Sequence, residues 1–155
     1  MVLFWSTIIL LNIGAFVIPK NLPTWQLYAT SVFAVLFQQV VDNYFDFEWD
    51  LYGYFEKGVD GFMGLVYIFG IFPAANIIFL TGWQGVVKKS AGRKISYLVM
   101  WVILASAYEH FAVQSGFLYY NGWQLLYSTM EYPVIFLVLI VNLIILQRLS
   151  RGVRT

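Results

Sequence analysis

Four residues in this chain could do chemistry: Asp42, Glu109, His110 and Glu131. Glu109 and His110 close one long apolar run, and Glu131 lies near the start of the next. Charged groups at membrane depth mark ion paths by default, so these residues are candidates for a proton or cation site. Gln38, Asn76, Trp123 and Ser128 are the polar residues placed to support it. An adjacent Glu-His pair could also serve as an acid–base couple. No Ser-His-Asp order, His-Glu-x-x-His or glycine-rich phosphate loop accompanies it, so the enzymatic reading is the weakest. With no cysteine and one histidine, thiolate chemistry, disulfides and a His/Cys metal centre are excluded. Neither a metal nor a cofactor is expected.

A structural reading competes with the site reading. Glu109 and Glu131 could accept hydrogen bonds from Trp, Tyr, Ser or Gln near the membrane interface and so lock two helices together. Their shallow depth favours this reading, because an acid near a helix end costs less than one at the bilayer centre.

The elements that must position these groups are apolar. The 155 residues are 61% hydrophobic, 20% aromatic and only 11% charged, far from a soluble average of roughly 25% charged. Five runs approach the roughly 20 residues that cross a hydrocarbon core: 2–18, 24–41, 61–83, 95–114 and 123–149. Lys20, the group Lys88, Lys89, Arg93 and Lys94, and the tail Arg148, Arg151 and Arg154 fall in alternate connections. The acids and Lys57 fall on the opposite side. The positive-inside rule then puts the N-terminus outside and the C-terminus in the cytoplasm. Five is the only helix count that keeps all the basic clusters together. The fold expected is all-α: a polytopic membrane bundle of five transmembrane helices forming a single domain. The basic residues follow topology, so no nucleic-acid partner is expected.

Local signals refine this picture. The connection 42–60 interleaves acids with aromatics, and Tyr44, Trp49, Tyr52 and Tyr54 read as an interfacial belt over water-facing acids. Asp42, Asp46 and Asp50 would stack on one face if the second helix continued, a spacing unlike a calcium loop. A solvated acidic face is expected there. Gly70 and Pro73 interrupt the third helix, predicting a kink, and Asn76 could satisfy the backbone groups that Pro73 frees. Asn12, Gln38, Gln39 and Asn142 read as polar glue between helices. Three and four residues before Glu109 lie Ser106 and Ala105, and before His110 lie Ala107 and Ser106. Small residues mark close helix approach, so both ionisable groups are expected to face the bundle. Asn121 with Gln124 reads as the N-cap of the fifth helix.

Asp42, the stretch Tyr52-Gly53-Tyr54-Phe55, the pair Phe72-Pro73, Glu109 and the run from Gly116 to Ser128 together resemble an uncharacterised family of small multi-pass membrane proteins of Bacillus- and Clostridium-type bacteria. The resemblance spans most of residues 40–140. It implies a helical bundle in a bacterial cytoplasmic membrane with a recurrent acid at Glu109, and it brings no activity. The tryptophan-rich sensory proteins are similar in size and Trp content, but their Trp-x-Pro-Pro-like loop is missing here.

Three function classes stand open: a structural or partner-binding membrane subunit, a small-solute or ion-binding or transport protein, and a membrane enzyme on lipid-linked substrates. The first leads on the absence of a catalytic motif. The partners expected are the lipid bilayer and either a membrane-protein partner or further copies of this chain.

Overall fold

The apolar runs become helices at close to the expected places. The computed structural model describes residues 1–55 and 61–152. Helix α1 spans Val2–Val17, α2 Thr24–Asp42, α3 Gly61–Val86, α4 Ala91–Gln114 and α5 Leu125–Gly152. Glu56, Lys57 and Asp60 of the 42–60 connection, and Arg154 of the tail, lie outside the described residues. Three segments, Phe62–Val86, Ala91–Gln114 and Leu125–Ser150, are long and apolar enough to cross a membrane; Val2–Val17 is apolar but shorter. Pro19 and Pro23 bracket the first turn, because proline fixes its own φ and keeps its predecessor out of the helical region. Helices α3 and α4 run further toward each other than hydropathy alone indicates. Arg93 and Lys94 sit inside α4, since long unbranched basic side chains are good helix formers.

The main departure from an all-α bundle is at one end. After Asp42 the backbone widens into a single π-helical turn over Asn43–Glu48. A short strand β1, Tyr52–Tyr54, then pairs antiparallel with β2, Leu118–Tyr120, between α4 and α5. The Leu51 carbonyl accepts from the amides of Asn121 (2.8 Å) and Trp123 (3.1 Å), and the Phe55 amide donates to the Phe117 carbonyl at 2.7 Å. Gly53 faces Tyr119 in this ribbon, and a Cβ there would run into the Tyr119 ring. Phe55 holds φ at +61°, a conformation costly for a bulky residue, roughly 1–3 kcal/mol. Its buried ring packs on Phe4 and Phe117, with centroids 5.3 and 6.1 Å away, which holds it there.

The ribbon corrects three expectations. Tyr52 and Tyr54 turn inward instead of joining Tyr44 and Trp49, which are exposed as a belt would be. Asp42 is buried, so the three aspartates do not form one solvated face; the π turn breaks their helical register. Asn121 is not an N-cap, because α5 starts at Leu125 and the Asn121 amide donates to the Asp50 carboxylate at 2.8 Å. Pairing with β1 extends the chain through Tyr120 and delays the helix.

Helix α1 packs on α3, α2 on α3 and α5, and α4 on α5. Asn12 of α1 donates to the carbonyls of Ile8 (2.8 Å) and Gly70 (2.7 Å), so it is the glue residue it was expected to be. The bond to Gly70 lies beside Pro73, where Asn76 had been expected to act, and α3 continues through Pro73 without ending. The core divides in two. One buried cluster, around Phe4, Tyr67, Ile71 and Phe117, lies under the ribbon. The other, around Phe79, Leu80, Phe136 and Leu143, lies toward the far end.

Candidate functional site

Glu109 lies on α4 and is buried, at 6% exposure. One carboxylate oxygen, Oε1, accepts from the hydroxyls of Tyr120 and Ser128, each at 2.5 Å. The other, Oε2, accepts from the hydroxyl of Tyr132. Trp123 Nε1 in turn donates to Ser128 Oγ at 2.7 Å, so Ser128 relays one donor to the carboxylate. These donors come from β2, the connection after it, and α5, which makes Glu109 the tie between α4 and the following elements. Ser106 and Thr129, 2.9 Å apart, add a second link between α4 and α5. For Glu109 this is also the geometry that the locking reading requires.

Asp42 is the second buried acid. Its Oδ1 accepts from Gln38 Nε2 (2.8 Å) one turn earlier on α2, from Tyr52 (2.8 Å) and from Tyr54 (3.3 Å). Burial first, and the adjoining carboxylate with it, pushes the Tyr52 and Tyr120 phenols far above the ordinary tyrosine range. Burial likewise raises Tyr54 well above that range. Each remains a neutral hydrogen-bond donor at any physiological pH.

Between the two acids lies a cavity of about 90 Å³. Glu109 and Glu131 both line it, with Gln38, Ser128 and the rings of Tyr52, Tyr54, Tyr67, Trp123 and Tyr132. Among the described residues, no lysine, arginine or histidine lines it. Glu131 is half-buried and has no hydrogen-bond partner among the described residues. No group of three or more potential metal ligands exists among the described residues. Among the described residues the site therefore combines two acids and a wall of aromatic faces with no neutralising base.

The sequence-derived residues divide clearly. Gln38, Glu109, Trp123, Ser128 and Glu131 line this cavity, and Asp42 stands behind Tyr52 and Tyr54. His110 does not join them. It is exposed, with its Nε2 2.9 Å from Gln114 Nε2 and its ring beside Phe111. Consecutive helix residues point about 100° apart, so burying Glu109 turns His110 outward. Asn76 is also elsewhere: it is 3% exposed, and neither polar atom of its amide has a hydrogen-bond partner. It lines a second, larger cavity deeper in the bundle.

Tyr120, Tyr132 and Tyr67 are site residues that sequence reasoning missed. Ser128, Glu131 and Tyr132 share i, i+3 and i+4 spacing on α5, a signal that places Tyr132 on the face of Glu131. No comparable signal exists for Tyr120, which reaches Glu109 only through the ribbon. Comparison of the chain with protein-family models, with curated proteins and with solved structures found no match.

Proposed function

We propose that this chain is a five-span membrane protein, N-terminus outside, that binds a small organic cation at its outer end as a solute-binding or transport protein. One observation carries the reading: Glu109 and Glu131 line one aromatic-walled cavity with no basic residue among its described lining residues. Two acids facing one space repel each other unless a cation or proton lies between them. Tyr and Trp faces attract ammonium groups through their quadrupoles, most strongly where water is excluded. A hydrated metal ion is a poorer match, because rings occupy the positions where oxygen ligands would stand. The volume of about 90 Å³ suits a single head group.

The alternation of basic clusters supports the five-span arrangement and its orientation. The absence of cysteine makes this directly testable with single cysteines at Ser90, on the proposed inside, and Tyr44, on the proposed outside. An impermeant maleimide applied to intact cells should label the second and spare the first; the opposite pattern reverses the topology.

The partner-subunit reading draws on exposed apolar faces such as Ile95, Ile103 and Leu104 of α4. Lipid covers such faces equally well, so they favour neither partner. The enzymatic reading required Glu109 and His110 to act as a pair, and His110 lies outside the cavity. Binding of tetramethylammonium to purified protein, measured by calorimetry, tests the proposal. Wild type should bind, with Glu109→Gln and Glu131→Gln each weakening binding on the order of tenfold, the loss of one close charge pairing. Wild-type protein that binds no ammonium compound refutes it.

A further inference from the structure

Directly beneath the acidic cavity lies a second one of about 380 Å³, placed between the two core clusters. Six residues line both: Gln38, Tyr67, Phe72, Tyr108, Tyr132 and Ile135. The two spaces thus adjoin, and these six side chains line both. They differ in chemistry. The upper carries Glu109 and Glu131, whereas the lower has no charged residue among its described lining residues and is walled mainly by side chains such as Leu11, Phe79, Phe136 and Leu139. Its volume falls within the range of about 300–1,000 Å³ common for small-molecule sites.

Three polar side chains of the lower cavity, Asn76, Trp101 and Tyr108, carry buried polar atoms without a hydrogen-bond partner, and Asn76 stands out because both ends of its amide are unpaired. Asn76 is 97% buried by its 3% exposure, lines this space, and leaves both its amide nitrogen and its amide oxygen without a partner. Buried polar groups in proteins are hydrogen-bonded as a rule, and an asparagine amide offers two donors and an acceptor. A leucine of similar size would fill the position at lower cost if packing were the only demand. The amide is therefore matched to something that no described residue supplies. Ala34, Ala75 and Ala105 keep the surrounding walls small.

We propose that the ligand of the site is an amphiphilic ammonium compound. Its cationic head sits between Glu109 and Glu131, its apolar body fills the lower cavity, and a hydroxyl or amide on that body meets Asn76. This rests on the cation-binding reading and extends it from a head group to a whole molecule. The apolar part removes a solute such as a free short amine from the class of preferred ligands and points to molecules that already partition into the membrane.

The test compares tetramethylammonium with octyltrimethylammonium, and the latter with its chain-amide analogue, on protein in nanodiscs. Three variants accompany wild type: Ala75→Phe, which occupies the lower cavity, Ala105→Leu as a milder filling, and Asn76→Leu. In wild type the octyl compound should bind at least about tenfold tighter than tetramethylammonium, a gain that burial of two methylenes at about 0.8 kcal/mol each already supplies. Either filling variant should abolish most of that gain while leaving tetramethylammonium binding within about twofold. Asn76→Leu should remove only the added preference for the amide analogue. If tetramethylammonium binds and the chain adds nothing, or the gain survives both filling variants, the amphiphile proposal falls and the head-group site stands. If no ammonium compound binds, both fall together.

Discussion

The donors around Glu109 are unequally distributed, and this sets a ranking that mutation can test. Oε1 accepts two hydrogen bonds, from Tyr120 and Ser128, whereas Oε2 accepts one, from Tyr132. Tyr120→Phe leaves Oε1 still bonded to Ser128. Tyr132→Phe leaves Oε2 of a buried carboxylate with no donor. Hydrogen bonds to charged groups contribute about 1.5–3 kcal/mol, but interhelical hydrogen bonds in membrane proteins average about 0.6 and reach about 1.7 kcal/mol. Burial of Glu109 at 6% exposure puts Tyr132 at the top of the membrane range. Tyr132→Phe should therefore cost about 1.5–2 kcal/mol, and Tyr120→Phe about 0.5–1 kcal/mol, since one acceptor keeps a partner. The assay is equilibrium unfolding in mixed micelles titrated with denaturing detergent, followed by tryptophan fluorescence. A cycle with Glu109→Gln isolates the pairwise term: Tyr132 and Glu109 should show coupling above about 0.5 kcal/mol. Equal costs for the two phenylalanine variants, or additivity of Tyr132→Phe with Glu109→Gln, would refute the assignment of Oε2 to Tyr132 alone.

Other consequences follow from the ribbon and the helix contacts. Gly53→Ala should destabilise the protein by about 1–3 kcal/mol, as overpacking against the Tyr119 ring does, and the loss should show as a lower melting temperature. The raised phenols of Tyr52 and Tyr120 predict an alkaline limb of stability. The unfolded phenols lose their protons near pH 10 while the folded ones keep theirs, so stability is full below pH ~10 and falls as pH rises above it. Tyr52→Phe should flatten this limb in a pH series of unfolding curves. Asn12→Leu removes the bond to the Gly70 carbonyl and should cost about 0.5–1.5 kcal/mol, with faster hydrogen exchange in the turn around Gly70.

The sequence by itself determined the five helices. Run length, bracketing prolines and the shortage of charge leave an apolar chain few other ways to satisfy its backbone, so Val2–Val17 through Leu125–Gly152 fall close to the expected segments. It also determined part of the site, because an acid within or beside an apolar run is costly unless it finds a partner. Gln38, Glu109, Trp123, Ser128 and Glu131 were all legible and all meet at one cavity.

Tertiary structure decided the rest. His110 and Glu109 look equivalent in sequence, and only the direction of helix packing buries one and exposes the other. The ribbon joins Tyr52–Tyr54 to Leu118–Tyr120 across more than sixty residues, and three-residue strands leave no periodicity to read. That pairing turns Tyr52, Tyr54 and Tyr120 from an aromatic belt into the donors of Asp42 and Glu109. Asn76 read as a group that would serve Pro73, yet Asn12 reaches the neighbouring carbonyl and leaves Asn76 facing a cavity lining without a partner. Local propensity fixes where a helix runs, because its hydrogen bonds close within four residues. Which of its faces meets which partner is set by contacts between distant segments, and these carry no local signature.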